Sequence, residues 1–133
     1  MGEQPRTILL TNTQAETVQL TGHLEHKGWK VFRDPDVSGD LDALVRQNSA
    51  AIVLLDITGT LPDRFDALRL VKDSHAGLQV ILLASTRRKD LLKEAYSKVA
   101  DDFVWIESGP AAITERLDVL YEFHDNHLTD MKR

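Results

Sequence analysis

"IVLLDITG", residues Ile52 to Gly59, is a continuous apolar run that ends on a carboxylate and passes into small and turn-forming residues. A strand with one wet face alternates apolar and polar positions. An unbroken run such as Ile52–Leu55 reads instead as a strand covered on both faces of a parallel sheet. In open parallel sheets the chemistry gathers at the carboxyl ends of the strands. Asp56, standing at such an end, is therefore the first residue to question.

Working outward, five apolar segments alternate with five segments of helical character. The strand candidates are Thr7–Thr11 (TILLT), Trp29–Phe32 (WKVF), Ala51–Leu55 (AIVLL), Gln79–Leu83 (QVILL) and Asp102–Ile106 (DFVWI). The first, third and fourth are continuously apolar and suit the middle of a sheet. The second and fifth are shorter or more mixed, as sheet edges are. The helical segments run from about Gln14 to Lys27, with Gly28 as the stop, and from about Gly39 to Asn48. A third follows Leu61-Pro62-Asp63, where Pro62 suits a first turn that needs no N–H. A fourth spans Lys89–Val99, and a fifth starts after Ser108-Gly109-Pro110. Strict alternation predicts an α/β three-layer sandwich around a parallel sheet, with right-handed crossovers.

Composition bounds the rest. The chain has 133 residues, 42% hydrophobic and 28% charged, which is enough apolar material for one core. Net charge is -5 and no Lys/Arg run exceeds three residues, so neither nucleic acid nor an anionic membrane is an expected direct partner. No apolar run approaches a membrane span, and Met-Gly-Glu-Gln-Pro-Arg lacks the apolar core of a signal peptide. Cysteine is absent, which excludes disulfides and thiolate chemistry. A cytoplasmic protein is the expectation.

The strand ends fix the residues to inspect. They are Asn12 and Thr13, then Asp56 to Gly59 (Thr58 among them), then Ala84, Ser85 and Thr86, and last Ile106 and Glu107. The five-fold alternation, the acid in "VLLDITG" and the late "VADDFVWIESG" resemble the CheY-like receiver domain of bacterial response regulators, over roughly residues 6–124. The resemblance implies a flavodoxin-like five-stranded parallel sheet in the order 2-1-3-4-5, with two helices on one face and three on the other. It implies one receiver-like domain over 1–124, with 125–133 a tail or the start of a linker helix. It also implies two-component phosphorelay signalling, in which an aspartate at Asp56 accepts a phosphoryl group from a histidine kinase.

That transfer brings negative charge against negative charge, so a divalent cation and fixed positive charge must offset the repulsion. Mg²⁺ wants oxygen ligands, preferably carboxylates. The family supplies an acidic pair after the first strand, a hydroxyl after the fourth and a lysine after the fifth. Here "ILLTNTQ" offers Asn12 and Thr13, and "VILLAST" offers Ala84. A slip of one or two positions brings in Ser85 or Thr86. "DDFVWIESG" puts Ile106 and Glu107 where the family has Lys-Pro. Thr60 and Arg64 stand where the family has Pro and Gly. Removing one preorganised electrostatic donor typically costs ~10²–10³ in rate, and several have gone. The expectation is a pseudo-receiver with poor or no Mg-dependent phosphorylation, no cofactor and no enzyme activity. Asp56 then remains as a phosphoacceptor position, or simply as a polar residue closing a strand.

Other signals carry a functional and a plain reading side by side. Phe103 matches the family's switch aromatic, or it is a packed strand residue. Leu91, Leu92, Tyr96, Trp105 and Tyr121 are interface candidates on helix four, strand five and helix five; an edge Trp can equally cover the sheet edge. Arg87-Arg88-Lys89 sits before helix four, where cations oppose the helix dipole by roughly 0.3–1 kcal/mol, or is a solvated loop. His23/His26 and His124/His127 place imidazole pairs on a helix face without an evident third ligand. Leu117, Tyr121, His124, Leu128 and Met131 alternate spacings of four and three, a short coiled-coil pattern or a fraying tail.

Three readings follow. The first is a protein-interaction module whose partner is a kinase, an output domain or a second copy, through helix 4–strand 5–helix 5. The second is a receiver phosphorylated on Asp56 with Mg²⁺, using Ser85, Thr86 or Arg87 as substitutes. The third is a flavodoxin-like cofactor-binding protein, against which stands the lack of a glycine-rich turn in "LLTNTQAE".

Overall fold

Side chains of successive strand residues leave the sheet on opposite faces, and here both sets are buried. Leu9, Val53, Leu55, Val80, Leu82 and Ala84 enter one apolar cluster, while Ile8, Leu10, Ile52, Leu54, Ile81 and Leu83 enter a second. That two-sided burial is what the unbroken apolar runs encode. The computed structural model describes the backbone of residues 6–11, 18–34, 41–57 and 63–131, with side chains at 6–10, 19–33, 41–57 and 65–123.

The elements in chain order are β1 (Arg6–Thr11), α1 (Val18–His26), β2 (Trp29–Asp34), α2 (Leu41–Asn48), β3 (Ile52–Asp56) and α3 (Asp63–Ser74). They continue as β4 (Gln79–Ala84), α4 (Lys89–Lys98), β5 (Asp102–Trp105) and α5 (Pro110–Met131). Short 3-10 turns, Thr86–Arg88 and Ile106–Ser108, open α4 and α5. The sheet is parallel throughout in the order β2-β1-β3-β4-β5, the predicted winding. Helices α2, α3 and α4 cover one face through Val45, Phe65, Leu68 and Ala95. Helices α1 and α5 cover the other through Leu20, Leu24, Ile113 and Leu117.

Boundaries shift where a turn or a cap decides them. β3 and β4 take in Asp56 and Ala84, and β2 runs on to Asp34. β5 stops at Trp105, because Ile106 begins a 3-10 turn that ends at Gly109 in the left-handed region (φ 89°). The described part of the first helix starts at Val18, and Lys27–Gly28 close it, Gly28 at φ 95°. Pro62 lies outside the described residues.

Polar ties fix the layers at the amino ends of the strands. The Val80 amide donates to Asp101 Oδ2 and the Asp101 amide to the Val80 carbonyl, each at 2.8 Å, which sets where β5 joins β4. Lys72 Nζ lies 2.7 Å from Asp101 Oδ1, and Arg69 donates to the Lys98 carbonyl at 2.8 Å. Cations thus satisfy carbonyls left open at the end of α4. On the other face, Trp29 Nε1 (2.7 Å) and Arg6 Nη1 (3.0 Å) donate to Asp118 of α5. The Arg6 guanidinium sits 5.2 Å from the Tyr121 ring centre, and Tyr121 meets Trp29 edge to face at 5.3 Å.

With 22 residues, α5 is roughly 33 Å long. It continues unbroken past residue 124, so the expected boundary between domain and tail falls inside a helix. Among the described residues no helix is long and apolar enough to cross a membrane.

Candidate functional site

The carboxyl ends of β3, β4 and β5 lie side by side. Asp56 is paired in register with Leu83, and Ala84 with Trp105. By strand spacing, β5 is roughly 10 Å from β3. Asp56 is the last residue of the central strand and 1% exposed. Asn12, Thr13, Thr58 and Thr60, and the side chain of Arg64, lie outside the described residues.

Two described strand-end residues can be compared with what a phosphoryl cradle needs. Ala84 is fully buried among α2–α4 side chains and offers a methyl where a hydroxyl is needed. Ile106 is half-buried and packs against the α1/α5 core, so the position expected to carry an ammonium faces apolar side chains. Among the described residues no three His, Cys, Asp or Glu side chains come together as a metal set.

Glu107 has a different place from the one its charge suggests. Its carboxylate does not stand idle beside Asp56. Ser85 Oγ donates to Oε2 at 2.5 Å, and the Thr86 amide donates to Oε1 at 3.0 Å. The Ser85 hydroxyl, with the Thr86 amide behind it, holds the Glu107 carboxyl below the usual glutamate range. Ser85 Oγ also accepts the Arg87 amide at 3.2 Å, capping the 3-10 turn. Of the substitutes nearest in sequence for a phosphoryl-binding hydroxyl, Ser85 thus has its hydroxyl engaged within the protein, while Thr86 is exposed and gives Glu107 its amide.

The remaining sequence candidates divide between core and surface. Phe103 and Trp105 lie on one face of β5, 5.0 Å apart edge to face. Tyr96, exposed on α4, meets Phe103 at 6.0 Å. Leu91 and Leu92 are partly buried against the α2–α4 core. Tyr121 packs onto Trp29 and Arg6 at the other side of the molecule, away from the α4–β5 edge. Arg88 forms a two-point pair with Asp90 at 3.0 and 3.2 Å. An acid in the first turn of α4 thereby offsets the unfavourable cations before it, and Arg88 holds the Asp90 carboxyl below its usual range. His23 and His26 form the exposed last turn of α1. His124, His127, Leu128 and Met131 have side chains outside the described residues.

No protein-family model matches the sequence, and no curated protein matches it. Solved structures do. The CheY-like receiver domain protein from Methanospirillum hungatei superposes with a TM-score of 0.70 at 18% identity, covering 93% of this chain and 99% of that one. The signal receiver domain of a LuxO repressor protein from Vibrio parahaemolyticus gives 0.73 at 16% identity, covering 98% of both chains. NtrX from Brucella abortus in complex with ATP gives 0.77 at 19% identity, over 96% of this chain but only 30% of that one. The chain has the receiver-domain fold. At these identities the likeness is one of architecture, and the strand-end chemistry must be argued from the residues themselves.

Proposed function

We propose that this chain is an atypical receiver domain of two-component signalling that works by binding protein rather than by accepting phosphate. It would be neither an enzyme nor the holder of a cofactor. One observation carries the reading: beside Asp56 the strand ends present Ala84, Ile106 and an already engaged Glu107. Phosphoryl transfer to a carboxylate needs a cation and countercharge, and these residues supply neither.

The surface proposed for binding is α4–β5–α5, and the occupant is a second copy. Exposed Lys93, Glu94 and Arg116 put both signs of charge on these helices, beside Tyr96 and the half-exposed Trp105. A two-fold interface needs a patch that complements itself, and mixed charge around an aromatic centre meets that requirement. Between β5 and α5 a groove of about 380 Å³ is lined by Phe103, Trp105, Ala112 and Arg116, among others.

The test is intact mass after incubation with a small acyl phosphate and Mg²⁺, alongside sedimentation over a concentration series. The expected result is an unchanged mass and a concentration-dependent dimer weakened by Trp105→Ala. An adduct of phosphate mass that Asp56→Ala abolishes would establish instead the phosphorylatable receiver, the reading favoured by the position of Asp56 at the end of β3.

A further inference from the structure

We propose that Glu107 is a built-in anionic ligand that locks the start of α4 to the start of α5. Three observations carry this. Both carboxylate oxygens are used, one on the Ser85 hydroxyl and one on the Thr86 amide, across 22 and 21 residues of sequence. Ser85 is buried at 7% exposure while Glu107 is exposed, so the bond ties a buried donor on the β4 end to a carboxylate at the surface. Among the described residues this is also the one polar link between segment 86–94 and another element. The other side-chain bonds of that segment stay local, Arg88 with Asp90 and Glu94 with Lys98.

The clamp joins two 3-10 turns, each opening a helix of the proposed binding face. Without it, the first turn of α4 is held by Leu91 and Leu92 packing and by its own backbone. With it, the loop after β4 and the loop after β5 move as one. The donors that an incoming anion would need are occupied by a side chain of the same domain. Glu107 is in this sense a positioning residue. It sets the face without touching a partner. Its consequence for self-association rests on the proposed function, but the clamp itself does not.

Amide hydrogen exchange on the full chain tests it, with Glu107→Gln and Glu107→Ala as variants. A hydrogen bond to a charged group, once lost, is expected to speed exchange of Thr86 and the first turn of α4 by about tenfold or more in Glu107→Ala. Glu107→Gln keeps one acceptor oxygen for the Thr86 amide and is expected to fall between. Amides of β1 and β3 are expected to stay unchanged. Ser85→Ala combined with Glu107→Ala should loosen α4 by less than the sum of the two single variants, because the bond they share is lost in both, while the bonds from the Arg87 and Thr86 amides are lost separately. Exchange in Glu107→Ala within twofold of the parent at Thr86 and the α4 first turn would overturn the clamp. Loosened α4 with unaltered sedimentation keeps the clamp and overturns self-association through this face.

Discussion

The indole N–H of Trp29 donates to Asp118 Oδ1 across 2.7 Å, although the two residues stand 89 positions apart. Trp29 is 3% exposed at the start of β2, an edge strand, and Asp118 lies midway along α5. The bond therefore fastens the longest helix to the rim of the sheet, and Arg6 reinforces it from β1.

Replacing Trp29 by Phe keeps most of the ring and removes the donor. Hydrogen bonds to charged groups contribute roughly 1.5–3 kcal/mol. Urea unfolding of Trp29→Phe is expected to show a loss in that range, with an unchanged denaturant slope. A variant as stable as the parent would mean that Arg6 alone satisfies Asp118.

Asp101 is expected to matter more than the lysine it pairs with. Asp101→Ala leaves the Val80 amide without its side-chain acceptor and should cost about 1–2 kcal/mol. Lys72→Ala removes one partly exposed ion pair and should cost under about 1 kcal/mol. Thermal or urea melts of the two variants give the ranking directly, and the reverse order would contradict the role assigned to the Val80 bond.

Ser49 follows α2 with φ 51°, a conformation that disfavours side chains with a Cβ. Ser49→Gly relieves that strain at some cost in chain entropy. The net expectation is a gain of about 0.5–1 kcal/mol, read as a higher urea midpoint.

Acid should erase the contribution of Glu107. Its carboxyl titrates below the usual glutamate range in the folded protein. The unfolded chain therefore takes up its proton first as pH drops. The stabilisation is complete above the ordinary glutamate pKa and fades as pH falls through the lowered folded value. The stability gap between parent and Glu107→Gln should be constant around neutrality and close on acidification. Asp90 is lowered too, by Arg88, but it is common to both proteins and cancels in the difference. A gap that widened toward acid would contradict the assignment.

The central strands were legible because burial on both faces leaves a mark that needs no partner information. The runs at Ile52 and Val80 lack alternation, and their length and β-branched content, set between helical segments, mark them as interior strands. The edges were legible for the opposite reason, since Lys30 and Arg33 are exposed on β2. Long-range polar pairing was not legible. Nothing near Trp29 announces Asp118, and Asp101 reads as an ordinary turn acid. Nor was the aim of Glu107. Past the last strand residue the two-residue period ends, so the sequence gives its charge and not its aim. It accepts the Ser85 hydroxyl and the Thr86 amide. Tyr121 was grouped with a heptad-like series, yet its ring is spent on Trp29 and Arg6.

The unbroken span of α5 has a mechanical consequence. Its base is seated by Ile113 and Leu117, and its middle is bolted at Asp118 and Tyr121. Over roughly 33 Å of stiff rod, a ten-degree tilt at one end displaces the other by about 6 Å. Whatever reorients the first turn near Glu107 is geared up along the shaft, and the bolts at Arg6 and Trp29 decide whether that swing is passed on or absorbed.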